Sequence, residues 1–83
     1  MMDVKSAAEV SADYLKKFFP GAAKIQLEEV EITDDKKYWN ITLSYEGAEV
    51  QTGFITFGAR SFRTFKVDSE SGEVLAMKMK SVK

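Results

Sequence analysis

The sequence predicts an α+β domain of two layers, with one N-terminal helix packed on an antiparallel meander sheet of three or four strands. Apolar side chains recur every three or four residues up to Pro20, and every second residue in several later segments. Short polar turns separate these later segments, and such turns join antiparallel neighbours without a long crossover. Because the chain has 83 residues, we expect residues 1–83 to form a single domain with one hydrophobic core.

The helix is predicted from about residue 3 to residue 19. Asp3 is the expected N-cap, with Ser6 as the alternative. Pro20 ends the helix because proline lacks the backbone N–H and disfavours the α conformation in the residue before it. The stripe expected to face the sheet consists of Val4, Ala7, Ala8, Ser11, Leu15, Phe18 and Phe19.

The first strand is predicted over residues 24–33 and contains an irregularity. The apolar alternation that begins at Ile25 changes parity after Glu28 and Glu29. Either a bulge lies at the glutamates, or the first half of the strand covers the helix end and only the second half faces the core.

The second strand, residues 38–46, has the clearest pattern in the chain. Its alternation is typical of an antiparallel strand with one buried face. The face expected to lie in the core carries Trp39, Ile41, Leu43 and Tyr45.

The third and fourth strands, residues 60–68 and 73–81, are predicted to form a hairpin. Asp68 can accept backbone hydrogen bonds in the turn, and Gly72 can take the positive φ that closes a type I turn with a G1 bulge. The side chains expected to face the core from this hairpin are Phe65, Val67, Leu75, Met77 and Met79.

Four residues before or at the start of the third strand are candidate partner-binding residues: Phe54, Phe57, Arg60 and Phe62. The segment that holds the first two is either a further strand, residues 49–57, or an excursion between strands. If Phe65 faces the core, the two-residue period points Phe62 outward, where it would form an exposed apolar patch with its neighbours. The alternative is that these phenylalanines close the open end of the core.

The composition excludes several function classes. There is no histidine and no cysteine, which removes the common catalytic triads and the standard zinc sites. We expect no enzyme activity, no catalytic residues, no metal and no cofactor. The net charge of −1 comes without a basic stripe, so no nucleic-acid partner is expected. No apolar run approaches the length of a membrane span, and the first residues do not resemble a signal peptide, so the compartment stays unassigned.

The hairpin also resembles the signature of PepSY and PepSY-like domains. In that family a strand ending in Val-Asp is followed by Thr/Ser-Gly-Glu and an apolar strand, which residues 65–68 and 71–75 match. Upstream, the Phe19–Ala22 helix exit, Glu28–Val30 and the strand from Tyr38 follow the same order. The resemblance implies a loosely cystatin-like helix on a sheet, a secreted or cell-envelope location, and a role in inhibiting or modulating peptidases or in other protein contacts.

The expected function is therefore that of a non-catalytic protein-interaction module, with a peptidase or an envelope protein as the partner. Binding would use a sheet edge or the phenylalanines named above. Two alternatives stand beside it. One is a small-molecule carrier with a pocket lined by Trp39, Tyr45 and Phe62, and the other is a domain that forms a homodimer through an uncovered sheet face.

Overall fold

A computed structural model describes residues 1–46 and 60–79 of the chain. It contains one helix and four strands, which are α1 (Val4–Phe18), β1 (Ala23–Ile32), β2 (Tyr38–Glu46), β3 (Ser61–Asp68) and β4 (Val74–Met79). The strands form one antiparallel sheet in the order β1-β2-β3-β4, and α1 packs against it. The α+β fold and the meander are thus confirmed. The possible strand at 49–57 and the end of the last predicted strand lie outside the described residues.

Helix α1 begins at the predicted cap. The Asp3 carboxylate accepts a 2.8 Å hydrogen bond from the backbone N–H of Ser6. Ala7, Ser11 and Leu15 are buried, and the Ser11 hydroxyl is satisfied by donating to the Ala7 carbonyl at 2.8 Å. The buried stripe is therefore narrower than predicted.

Two residues of the predicted stripe do not face the core. Val4 is 39% exposed and Phe18 is 57% exposed. The ring of Phe18 lies against the ring of Tyr14, one turn earlier, with centroids 4.9 Å apart. The ring of Tyr14 makes an edge-to-face contact with the ring of Phe65 in the sheet, with centroids 6.3 Å apart. Phe18 therefore covers the Tyr14 ring from the solvent side.

Strand β1 contains the bulge that its sequence suggested. Leu27 pairs with Leu43 and Glu29 with Thr42, which leaves Glu28 as the extra residue. Because of the bulge, Leu27 and Val30 lie on the same face of the sheet, opposite Leu43 and Ile41. The prediction of a bulge at the glutamates is therefore confirmed. A second irregularity lies between Ala23 and Gln26.

The core lies between α1 and one face of the sheet, here called the helix face. The opposite face, called the far face, carries Asn40, Thr42 and Ser44 of β2. Among the described residues, the two central strands supply most of the buried apolar side chains, which are Ala7, Leu15, Ile41, Leu43, Tyr45, Phe65 and Val67.

In strand β4, the residues that face the core differ from those predicted. Val67 pairs with Val74, but Lys66 pairs with Ala76, so Leu75 is an extra residue in a bulge. Leu75 is consequently exposed, whereas Val74 packs against the core. Of the other predicted core residues, Met77 packs against the core and Met79 is exposed.

The hairpin turn has the predicted glycine conformation in a slightly longer loop. Gly72 has φ +75°, and its N–H donates to the Asp68 carbonyl at 2.9 Å. The bond joins residues four positions apart in the chain, as in an α-turn. The predicted type I turn with a G1 bulge is therefore wrong.

Candidate functional site

The two outer strands of the sheet, β1 and β4, are where a partner strand could add. Each pairs on one side within the described residues, β1 with β2 and β4 with β3. An outer strand presents backbone N–H and C=O groups that another chain can pair with. The two edges differ in how they are protected against this.

The β1 edge carries several features that discourage pairing. It has two register shifts, and three glutamates, Glu28, Glu29 and Glu31, are exposed along it. Bulges twist an edge away from a regular ladder, and edge charges disfavour contact with another strand. Leu27 and Val30 are also exposed on β1, but they stand among these carboxylates.

The β4 edge is different, and we take Val74–Met79 as the candidate binding site. After the bulge at Leu75, its pairing with β3 is regular from Ala76 to Met79. Leu75 is 47% exposed and Met79 is 65% exposed. An outer strand with exposed apolar side chains offers a partner both backbone hydrogen bonds and apolar surface.

The pairing register shows what lies on each face of the β4 edge. Met77 and Met79 lie opposite Phe65 and Arg63, on the helix face. Lys78 lies opposite Thr64, on the far face, and is exposed. A strand added to β4 would therefore meet methionines on one face and a lysine on the other.

Arg60, a predicted binding residue, is engaged within the domain. Its Nη1 lies 3.0 Å from Glu46 Oε2, its Nε donates to Ser44 Oγ at 2.9 Å, and its Nη2 donates to the Lys24 carbonyl. The Ser44 hydroxyl donates in turn to Glu28 Oε2 at 2.6 Å. Arg60, the residue before β3, thus joins β1 and β2 at one end of the sheet, and its fork geometry suits this role.

The predicted apolar patch is described only in part. Phe54 and Phe57 lie outside the described residues. Phe62 lies on the far face as its parity predicts, opposite Ser44, and is half-buried.

The register also separates the three residues proposed to line a ligand pocket. Trp39 and Tyr45 lie on the helix face, whereas Phe62 lies on the far face. Tyr45 is fully buried, its ring stacks on Phe19 at 6.2 Å, and its hydroxyl accepts a 2.8 Å hydrogen bond from Arg63 Nε. One pocket cannot contain all three side chains.

The far face carries an open, polar concavity of about 530 Å³. Thr42 and Thr64 lie in it with their hydroxyl oxygens 3.0 Å apart. Its other lining residues are Glu29, Val30, Glu31 and Asn40. Small-molecule sites are mostly apolar and enclose their ligand, and this concavity does neither.

Within 1–46 and 60–79, no group of three or more acidic side chains is placed to hold a metal ion. In the same part of the chain, no helix has the length and apolar character needed to cross a bilayer.

The carboxylate of Asp68 organises the turn that precedes β4. It accepts hydrogen bonds from the backbone N–H groups of Ser71 at 3.0 Å and Glu70 at 2.8 Å. These two bonds, the one from Ser71 foremost, hold the pKa of Asp68 below its usual value because they favour the ionised form. The charge thus fixes the turn from which β4 starts.

Sequence reasoning named a sheet edge as one possible binding surface but did not choose β4, because it assigned Leu75 and Met79 to the core. The bulge depends on how β3 and β4 pair, so the two-residue period of β4 alone carries no signal for it.

Three comparisons with known proteins give no match. No protein-family model, no curated protein and no solved structure is similar to this chain at a significant level.

Proposed function

We propose that this domain is a non-catalytic protein-interaction module that binds an extended segment of a partner protein along the β4 edge. The observation that carries the proposal is the contrast between the two edges. β1 has two register shifts and three exposed glutamates, whereas β4 has a single bulge at Leu75, a regular ladder from Ala76 to Met79, and exposed apolar side chains at Leu75 and Met79. Strand addition of this kind is a common mode of peptide recognition.

The two sources of binding free energy in such a complex would be distinct. Backbone hydrogen bonds to β4 would supply affinity for any extended segment, and side-chain contacts would supply selectivity. Fully burying an apolar side chain the size of leucine or methionine contributes about 1.5–3 kcal/mol. Leu75 and Met79 are about half and two-thirds exposed. A partner that covers both therefore gains about half to two-thirds of this free energy from each side chain.

A peptidase is the partner class that we propose to test first. This choice rests on the resemblance of residues 65–75 to PepSY domains, a family associated with inhibition or modulation of peptidases. Inhibition would appear as slowed cleavage of a fluorogenic substrate by serine, cysteine or metallopeptidases in the presence of the domain. Slow cleavage of the domain itself must be excluded by mass spectrometry.

A displayed library of random ten-residue peptides tests the proposal without a known partner. Selected peptides should slow amide hydrogen exchange in residues 74–79 more than elsewhere in the sheet. Peptides that slow exchange at other sites only, or a library that yields no binder, would overturn the proposed function.

A pair of variants sharpens this test. Replacing both Leu75 and Met79 with serine should weaken binding of the selected peptides at least tenfold, because the apolar contacts are lost. The matched control is Phe18→Ser, which removes an exposed aromatic residue of α1 and should leave the affinity unchanged. Equal weakening by both variants would mean that the peptides do not bind at β4.

Homodimerisation through the same edge is an outcome that light scattering detects. A dimer whose β4 amides become protected as protein concentration rises would replace the peptide-binding proposal with self-association.

A further inference from the structure

We infer that the strand accepted by the β4 edge alternates carboxylate and apolar side chains. This inference rests on the proposed function and names the chemistry of the partner. It follows from what the two faces of the sheet present beside β4.

On the far face, the side of the sheet next to the edge is basic. Lys78 of β4 lies opposite Thr64, and Lys66 of β3 lies opposite Ala76, so the two lysines are diagonal neighbours on this face. Both are exposed. The ammonium group of Lys66 lies 4.2 Å above the ring of Tyr38, which positions it over the far face.

The exposed glutamates of the far face lie on the other side of the sheet. Glu29 and Glu31 pair with Thr42 and Asn40, which places them on β1, three strands from β4. Of the nearer carboxylates, Asp68 ends β3 opposite Tyr38, where it accepts hydrogen bonds from the N–H groups of Glu70 and Ser71. Glu70 and Glu73 lie between β3 and β4 and precede the strand. A carboxylate on an added strand would therefore find an opposite charge directly across the ladder at Lys78.

On the helix face, the edge is apolar. Met77 packs against the core and Met79 is largely exposed beside it. Because successive side chains of a strand point to opposite faces, a partner strand with carboxylates on the far face places its other side chains against these methionines. Apolar residues at those positions would remove Met79 from water.

The same lysines select against wrong partners. A second copy of β4 would bring both Lys78 side chains onto one face of a short ladder, where like charges destabilise the pair. A basic or wholly apolar segment would likewise leave Lys78 without a counter-charge. Lysine on an edge strand is a recognised means of preventing edge-to-edge aggregation, and here it becomes a means of choosing the partner.

Fluorescein-labelled peptides of defined pattern test the inference. The probe has four Val-Glu repeats, and the comparison peptides have four Val-Lys repeats or a block of four valines followed by four glutamates. Fluorescence anisotropy should show the Val-Lys peptide binding roughly tenfold more weakly, and the block peptide should lose the exchange protection of residues 74–79. Addition of 0.5 M NaCl should reduce the preference.

Charge reversal on the protein completes the test. Lys78→Glu should invert the preference in favour of the Val-Lys peptide. The matched control Lys5→Glu changes an exposed lysine of α1 by the same amount and should leave the preference intact. An unchanged preference in Lys78→Glu would overturn the inference.

The two proposals fail in different ways. If library-selected peptides protect β4 but show no acidic-apolar alternation, the inference is wrong and the proposed function stands. If no peptide of any pattern protects β4, the proposed function is wrong as well.

Discussion

The two ends of the sheet are closed by different kinds of interaction. The turn end contains the β1–β2 turn, residues 33–37, and the β3–β4 turn, residues 68–72. The Arg60 end contains the start of β1, the end of β2 and the residue before β3. Short-range contacts and the backbone hold the turn end, whereas charged side chains far apart in the chain hold the Arg60 end.

At the turn end, most bonds join residues within five positions of one another. The Asp35 carboxylate accepts from the Thr33 hydroxyl at 2.6 Å and from the Lys37 N–H at 3.0 Å. Ser69 then joins the two turns, since its hydroxyl donates to the Lys36 carbonyl at 2.8 Å. The backbone carbonyl of Ser69 also accepts a 2.8 Å hydrogen bond from the Met2 N–H, which holds the N-terminal segment against this turn.

At the Arg60 end, the partners of Arg60 come from two strands, β1 and β2. Glu46 and Arg60 also lie on either side of residues 47–59, so their ion pair joins the two chain positions that flank this segment. The side chain of Arg60 is 20% exposed and that of Glu46 is 30% exposed, so water screens the pair only in part. The comparison teaches that one end depends on local conformational preference and the other on long-range electrostatics.

The largest expected effect is that of Arg60→Ala. It leaves Glu46 and the buried Ser44 with fewer partners, and we expect a loss of about 2 kcal/mol in the free energy of unfolding. Urea denaturation measures it, with Lys17→Ala on the exposed side of α1 as the control. The loss should shrink in 1 M NaCl, because part of it is electrostatic. A loss below about 0.5 kcal/mol would mean that Arg60 contributes no more to stability than an ordinary exposed ion pair does.

A smaller effect is expected at the turn end from Gly72→Ala. Positive φ strains any residue with a Cβ, and the added Cβ would lie 3.2 Å from the flexible end of Met2, so we expect about 1–2 kcal/mol of destabilisation. Unlike the Arg60 effect, it should not change with salt. Gly21→Ala is the matched control, because Gly72 is the one glycine with positive φ among the described residues. Equal effects of the two changes would show that the turn does not require glycine.

The smallest effect is a change in pH dependence caused by Asp68→Asn. The pKa of Asp68 is lower in the folded chain than in the unfolded chain, so its contribution to stability is present above about pH 4 and is lost as pH falls through the folded pKa. The variant should therefore be less stable than the wild type at pH 6, and the difference should narrow at pH 2.5. Urea denaturation at both values measures this. A difference that widens on acidification would contradict the assigned direction.

Some acid sensitivity should survive in Asp68→Asn. The pKa values of Asp3 and Asp35 are lowered in the same direction, mainly by the Ser6 N–H and the Thr33 hydroxyl respectively. Their contributions are lost over the same acidic range, so the variant retains part of the wild-type slope.

The sequence by itself determined the order of the elements and, at the turn end, the positive φ of Gly72 but not the type of turn. Asp3 as helix cap, Gly72 at positive φ and the bulge at Glu28 depend on residues close together in the chain, and local preferences are readable there. Tertiary structure decided the rest. The bulge that exposes Leu75, the partners of Arg60 and the separation of Phe62 from Tyr45 depend on strand register, which is set when whole strands pair and the core closes. The bulge in β4 is a shift of this register: it packs Val74 against the core and leaves Leu75 exposed, whereas Met77 and Met79 keep the face that their period predicts.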